Sequence, residues 1–147
     1  MVKLKTIYTI VSTAELEAVK AFYAKYFGFK AVFDTGWYVQ LNAPRDGSDV
    51  PLELGFMLPG NEDLIEEFKP RFNGQGMFIS LEVDDVDSVY AQVTADGFEP
   101  VQDLQEQPWG QRHFIIRDPG GTFLEVVTLV SPTDEFRQQF PDFYAGR

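Results

Sequence analysis

The chain contains two versions of one segment. Residues 28–34 read Gly-Phe-Lys-Ala-Val-Phe-Asp, and residues 97–103 read Gly-Phe-Glu-Pro-Val-Gln-Asp. Each copy follows a helical pattern, which itself follows an apolar strand pattern. Each is followed by a glutamate between aliphatic residues: Glu53 between Leu52 and Leu54, and Glu125 between Leu124 and Val126. A small insertion in the second half accounts for the changed spacing. Duplication of this size implies pseudo-twofold symmetry, and ligand sites in such folds often lie where the copies face each other.

The order of elements follows from the periodicities. Residues 3–11 alternate as a strand. Ser12 then opens a capping box with Glu15. Leu16, Val19, Phe22, Tyr23, Tyr26 and Phe27 make one apolar helix face, and Gly28 ends that helix. Strands are expected over 29–34, 36–42 and 50–57, with turn residues 42–47 separating the last two. The second copy runs in the same order. A strand covers 77–84, and Asp84 or Asp85 caps a helix whose apolar face is Val86, Val89, Tyr90 and Val93. Gly97 ends it. Strands over 98–103, 112–117 and 122–129 follow, the last two joined by the turn Asp118-Pro119-Gly120-Gly121.

These spacings place a first module at 3–57, a linker at 58–75, a second module at 76–130 and a tail at 131–147, within one domain. The linker holds a short helical pattern from Glu62 to Phe68. In the tail, Phe136 and Phe140 are a helical turn apart, followed by Phe143 and Tyr144. A short packed helix or a partner-binding tail accounts for that pattern. The fold class is α+β: two βαβββ modules forming a curved, mostly antiparallel mixed sheet, helices outside and a concave ligand cleft inside.

Composition narrows the function. Absence of cysteine excludes disulfides, thiolate metal sites and cysteine nucleophiles. With 12 basic residues against 23 acidic ones, no basic face for nucleic acid can be assembled. The net charge of -11 serves solubility or attracts a cationic ligand. The 14 phenylalanines call for an aromatic-rich core or pocket wall. No apolar run is long enough to span a membrane, and the start leads directly into a strand pattern, so a cytoplasmic protein is expected.

The segment from Trp109-Gly-Gln-Arg112 through Asp118-Pro-Gly-Gly to Leu124-Glu125-Val126 resembles the glyoxalase/bleomycin-resistance/dioxygenase superfamily, also called the vicinal oxygen chelate superfamily. Phe22-Tyr23 with Phe27-Gly28-Phe29 is similar to that family's first helix end, and Leu81–Val86 to its second-module entry. The resemblance covers residues 4–130. It implies the paired-module fold and a homodimer. In metal-dependent members it also implies four ligands, one from the first and one from the last strand of each module. The last-strand places fall here on Glu53 and Glu125. The first-strand places fall near Tyr8 and Phe78, where those members carry imidazoles. Two carboxylates alone make a poor site for a borderline-soft ion.

The sole histidine, His113, shares a strand face with Gln111 and Ile115, while Arg112, Phe114 and Ile116 share the other. On that face His113 can meet Glu125. Two roles are open for Glu125: a ligand contact, or a buried acid paired with Arg112 or Arg117. Glu53 reads as a rim acid, with Leu52 and Leu54 turned inward. Trp37, sharing a face with Val39, and Trp109, in the longer loop, are core residues or stacking walls; Phe33, Phe56, Phe78 and Phe114 can add to such a wall. The candidate ligand-binding set is therefore Trp37, Trp109, Arg112, His113 and Glu125, with no catalytic residue and no metal ligand. The function expected is metal-independent binding of a planar, cationic small molecule, such as a drug or antibiotic, with no cofactor. The alternative is a lyase or dioxygenase using a divalent metal such as Zn, Ni, Mn or Fe on Glu53, Glu125 and His113. A non-catalytic interaction domain has only the Phe-rich tail in its favour.

Overall fold

The computed structural model describes residues 1–145; Gly146 and Arg147, at the end of the expected tail, lie outside the described residues, as does the Tyr144 side chain. The chain divides into two compact units. Unit one comprises Met1–Gln75 with the turn Asp118–Thr122; unit two comprises Gly76–Arg117 with the chain from Phe123 onward. Each contains a four-stranded mixed sheet and the expected βαβββ order.

In unit one, β1 (Thr9–Ser12) precedes α1 (Leu16–Phe27), β2 (Lys30–Asp34), β3 (Tyr38–Arg45) and β4 (Ser48–Met57), in sheet order β1-β4-β3-β2. β1 lies parallel to β4, and the remaining pairs are antiparallel. The apolar face of α1 is where the spacing places it: Leu16, Val19, Phe22 and Tyr23 are buried. They pack on Val39, Leu41, Leu54 and Phe56, alternate residues of two strands. Tyr23 sits at the centre, its ring 5.3 Å from Phe56 and 5.8 Å from Phe29. Its hydroxyl donates to Asp118 at 2.8 Å. Gly28 ends α1 at φ 69, a conformation that costs a Cβ-bearing residue roughly 1–2 kcal/mol. The Gly97 copy has φ 92.

Unit two repeats the pattern with β5 (Phe78–Glu82), α2 (Val86–Ala95), β6 (Gln102–Gln107), β7 (Gln111–Arg117) and β8 (Phe123–Leu129), in order β5-β8-β7-β6. Asp85 caps α2 by accepting the Ser88 N–H at 3.0 Å. Val86 and Val93 bury against Phe114, Ile116, Leu124 and Val126. The two short helices α3 (Asp134–Gln139) and α4 (Pro141–Tyr144) follow, with the Phe136 and Phe140 rings 4.9 Å apart.

Several boundaries differ from expectation for identifiable reasons. β1 begins at Thr9, and residues 3–8 lie outside it with Leu4 and Ile7 exposed. As an edge strand β1 has β4 on one side only, so alternation in the sequence does not by itself extend it. Ser12 is a buried strand residue and does not cap α1. The Thr13 hydroxyl accepts the Glu15 N–H instead, at 3.1 Å. β3 runs on to Arg45, because Asp46-Gly47 alone makes the hairpin turn, with Gly47 at φ 70. β6 starts at Gln102 rather than 98. Pro100 stands where the first copy has Ala31, and it has no N–H to give a ladder. The linker's helical pattern contracts to a single 3-10 turn at Glu66–Phe68.

Candidate functional site

Alternation puts a second, more polar face on each sheet. In unit one, Val39, Leu41 and Ala43 turn to α1, so Tyr38, Gln40 and Asn42 turn the other way. On β4, Leu54 and Phe56 are core, and Glu53, Gly55 and Met57 share the face of Gln40. Trp37 lies one residue before β3 and does not share the buried face of Val39, correcting the expectation.

A pocket of about 540 Å³ opens on this face. Tyr8, Phe33, Trp37 and Tyr38 supply aromatic walls, while Ile10, Met57 and Leu64 add aliphatic surface. Its polar groups are Gln40, Glu53 and the hydroxyls of Tyr8 and Tyr38. Trp37, 47 % exposed, also borders a hollow of about 460 Å³ with Pro59, Glu62 and Asp63 of the linker. The polar groups are connected. The Tyr38 hydroxyl donates to Gln40 Oε1, Gln40 Nε2 donates to Glu53 Oε1 at 3.4 Å, and the Thr6 hydroxyl donates to Glu53 Oε2. Burial, then the neighbouring Tyr8 and Glu53, push the Tyr38 phenol above its ordinary value.

The corresponding face of unit two is built differently. His113 and Glu125 lie on adjacent strands and meet, Nδ1 to Oε1, at 2.6 Å. Ser80 stands opposite Glu125 in the β5–β8 register, and its hydroxyl donates to Oε2 at 2.5 Å. The amide nitrogens of Gln102 and Gln107 approach His113 Nε2 at 3.0 and 3.1 Å. Both residues are buried and hold each other.

The arginine pairing left open for Glu125 is not formed; His113 and Ser80 take that place. Arg112 turns to the helix side, where Asp87 of α2 grips it at 2.8 and 2.6 Å. It does not join His113. Arg117 stacks over the Phe123 ring at 4.1 Å. Trp109 is half-exposed in the β6–β7 turn, its indole N–H donating to Gln111 at 2.6 Å. Gly110 beside it has φ 97, and a Cβ there would lie 2.7 Å from the Val130 carbonyl. The backbone of this turn docks on the segment after β8, where the Val130 N–H donates to the Gly110 carbonyl and the Thr133 N–H to the Pro108 carbonyl, each at 2.9 Å. Phe56 and Phe114 are core residues and no wall, whereas Phe33 lines the pocket.

The register relocates one candidate metal place. Thr9 pairs with Leu54, and Leu81 with Val126, so the counterpart of Tyr8 is Ser80 and not Phe78, which faces Phe123. A phenol and a hydroxyl occupy the first-strand places, and Ser80 is already bonded to Glu125. Among the described residues no three His, Cys, Asp or Glu side chains gather to hold a metal ion. This donor set does not fit a divalent ion that asks for imidazole ligands.

Sequence reading missed Tyr8, Tyr38 and Gln40 as pocket residues, and Gln102 and Gln107 as His113 partners. Alternation with Val39 and Leu41 carried the signal for Tyr38 and Gln40. Among the described residues no helix is long and apolar enough to cross a membrane.

The fold is shared with solved structures. A glyoxalase/bleomycin resistance protein/dioxygenase from Nocardioides aligns with a TM-score of 0.69 at 18% identity, over 90% of this chain and 89% of its own. A lactoylglutathione lyase from Agrobacterium tumefaciens gives 0.63 at 24% identity, over 85% and 94%. TioX from Micromonospora sp. ML1 gives 0.61 at 20% identity, over 86% and 99%. At such identities the likeness extends to the fold alone. No curated protein sequence matches the chain significantly. The family model matches residues 6–126, from before β1 into β8, and the chain belongs to the Glyoxalase/Bleomycin resistance protein/Dioxygenase superfamily.

Proposed function

We propose that unit one binds a small, planar, cationic aromatic compound by stacking and charge, with no metal ion and no bond broken. The observation that carries this reading is the pocket itself: four aromatic side chains around one carboxylate, Glu53. Trp37 is the stacking wall, because half of its surface is open and it stands at the edge of β3. Glu53 supplies the counter-charge in place of the Glu125 expected from sequence, since Glu125 is engaged with His113 and Ser80. The chain's net charge of -11 favours approach of a cation. A drug or antibiotic of this chemistry fits the description. The proposal extends to a homodimer in the cytoplasm, which sedimentation equilibrium and cell fractionation address.

Calorimetric titration tests the reading with naphthylmethylammonium, a planar monocation, and naphthylacetate, its anionic counterpart. The cation is expected to bind, more weakly as salt rises, because screening acts within about 8 Å at physiological ionic strength. Trp37→Ala is expected to cost roughly 0.5–2 kcal/mol, and Glu53→Gln roughly 1.5–3 kcal/mol, the range for a hydrogen bond to a charged group. Equal binding of naphthylacetate, or unchanged affinity in both variants, rules the reading out. A chelator should leave the melting temperature unchanged, and added Zn, Ni, Mn or Fe should not raise it. A ligand specific for the native state stabilises by about 2.7 kcal/mol at hundredfold excess over its Kd, so a metal effect of that size would be plain.

A further inference from the structure

The pocket's hydrogen bonds run in one direction, and that direction determines what the pocket can recognise. Glu53, as a carboxylate, only accepts. Gln40 therefore turns Nε2 toward Glu53; the flipped amide would set Oε1 against Oε1 across 3.4 Å. Its Oε1 then faces Tyr38, whose hydroxyl must donate to it. The Thr6 proton is likewise committed to Glu53 Oε2. The hydroxyl protons of Tyr38 and Thr6 thus point along the sheet. Tyr38 Oη retains its lone pairs, and Glu53 has acceptor capacity beyond its two bonds.

Gly55 maintains this arrangement. A Cβ at that position would lie 2.8 Å from Tyr38 Oη and 3.0 Å from Ile10 Cγ1. The Tyr38 hydroxyl therefore rests over the β4 backbone in space that any side chain would fill. The raised pKa of Tyr38 keeps the phenol protonated, so it retains the proton it gives to Gln40.

We infer that the unit-one pocket selects cations carrying N–H donors, such as a primary ammonium, amidinium or guanidinium on an aromatic ring, over quaternary ammonium ions of the same ring and charge, and that Tyr38 sets this selection. The inference rests on the cation-binding reading above. A quaternary nitrogen can answer the charge of Glu53 and the aromatic faces, but it offers nothing to the lone pairs of Tyr38 and Glu53. Those groups then lose water without gaining a partner. A primary ammonium presents three donors to them.

The experiment compares naphthylmethylammonium with naphthylmethyltrimethylammonium by calorimetry, in wild type, Tyr38→Phe and Gly55→Ala. Wild type is expected to prefer the primary cation by about tenfold, the order of one unmatched hydrogen bond. Tyr38→Phe should weaken the primary cation and bind the quaternary one at least as well as wild type, because the lone pairs it left unmatched are gone, so that the preference collapses. Gly55→Ala, whose Cβ presses on both Tyr38 and Ile10, should narrow the preference while lowering both affinities. The retained quaternary affinity of Tyr38→Phe also reports an intact pocket. If both cations bind wild type equally, or Tyr38→Phe retains the full preference, the inference is wrong while cation binding stands. If neither cation binds wild type, the cation-binding reading falls and the inference falls with it.

Discussion

Asp118→Ala is expected to lower the unfolding free energy by about 3–5 kcal/mol, measured by urea denaturation at neutral pH. Asp118 is 3 % exposed, and its carboxylate organises a turn and a helix together. Oδ1 accepts from the N–H groups of Gly120 and Thr122, each at 2.9 Å. Oδ2 accepts from the fully buried Tyr23 hydroxyl. Each buried donor left without a partner costs roughly 1–3 kcal/mol, and the three are not additive because the turn relaxes. A loss below about 1 kcal/mol would refute this account of the turn.

The same residue gives a pH signature. Burial raises the Asp118 pKa from 3.8, against the hydrogen bonds from Tyr23 and the turn, which lower it. A carboxyl whose folded pKa is raised binds its proton more tightly in the native state. Its contribution is fully present below the unfolded value and is lost as pH rises through the folded value. Asp118→Asn does not titrate. The stability of wild type relative to Asp118→Asn should therefore increase as pH falls through that window. A flat or opposite trend would show that the hydrogen bonds outweigh burial.

Glu125→Ala is expected to cost about 2–4 kcal/mol of stability and little ligand affinity. Removal of the carboxylate leaves His113 Nδ1 without its partner inside the sheet and releases Ser80. Glu125→Gln retains an acceptor and should cost less than half as much. A double-mutant cycle with His113→Leu should return a coupling of roughly 1–3 kcal/mol, because His113→Leu removes the group that Glu125 satisfies. The readout that separates structure from binding is naphthylmethylammonium affinity in folded Glu125→Ala. If it disappears while the melt remains cooperative, the ligand site belongs with Glu125 and the pocket at Glu53 is the wrong one.

His113, Glu125 and Arg112 show how far strand periodicity reaches. Alternation alone separates Arg112 from His113, and the structure agrees: one faces Asp87, the other Glu125. The repeat likewise aligns the glycines at 28 and 97, which both take positive φ. Local chemistry was also readable at Asp84-Asp85, of which the second is the cap, accepting the Ser88 N–H. These features depend on short spacing or on a pattern repeated along the chain, so the sequence alone determined them.

Other features required the folded strands. Whether Glu125 would meet an arginine or a histidine depends on which strand lies beside β8 and on its register, neither of which alternation contains. Gln102 and Gln107 reach the same imidazole because β6 carries a register shift between Gln102 and Gln105, a bulge that no local motif announces. The pocket at Glu53 brings Tyr8, before β1, together with Tyr38 and with Leu64 of the linker, residues far apart in the chain. Sequence determined the modules and the faces of their strands; only tertiary structure decided which face holds the aromatic pocket and which carboxylate lines it, because those follow from contacts between segments whose separation along the chain encodes no distance in space.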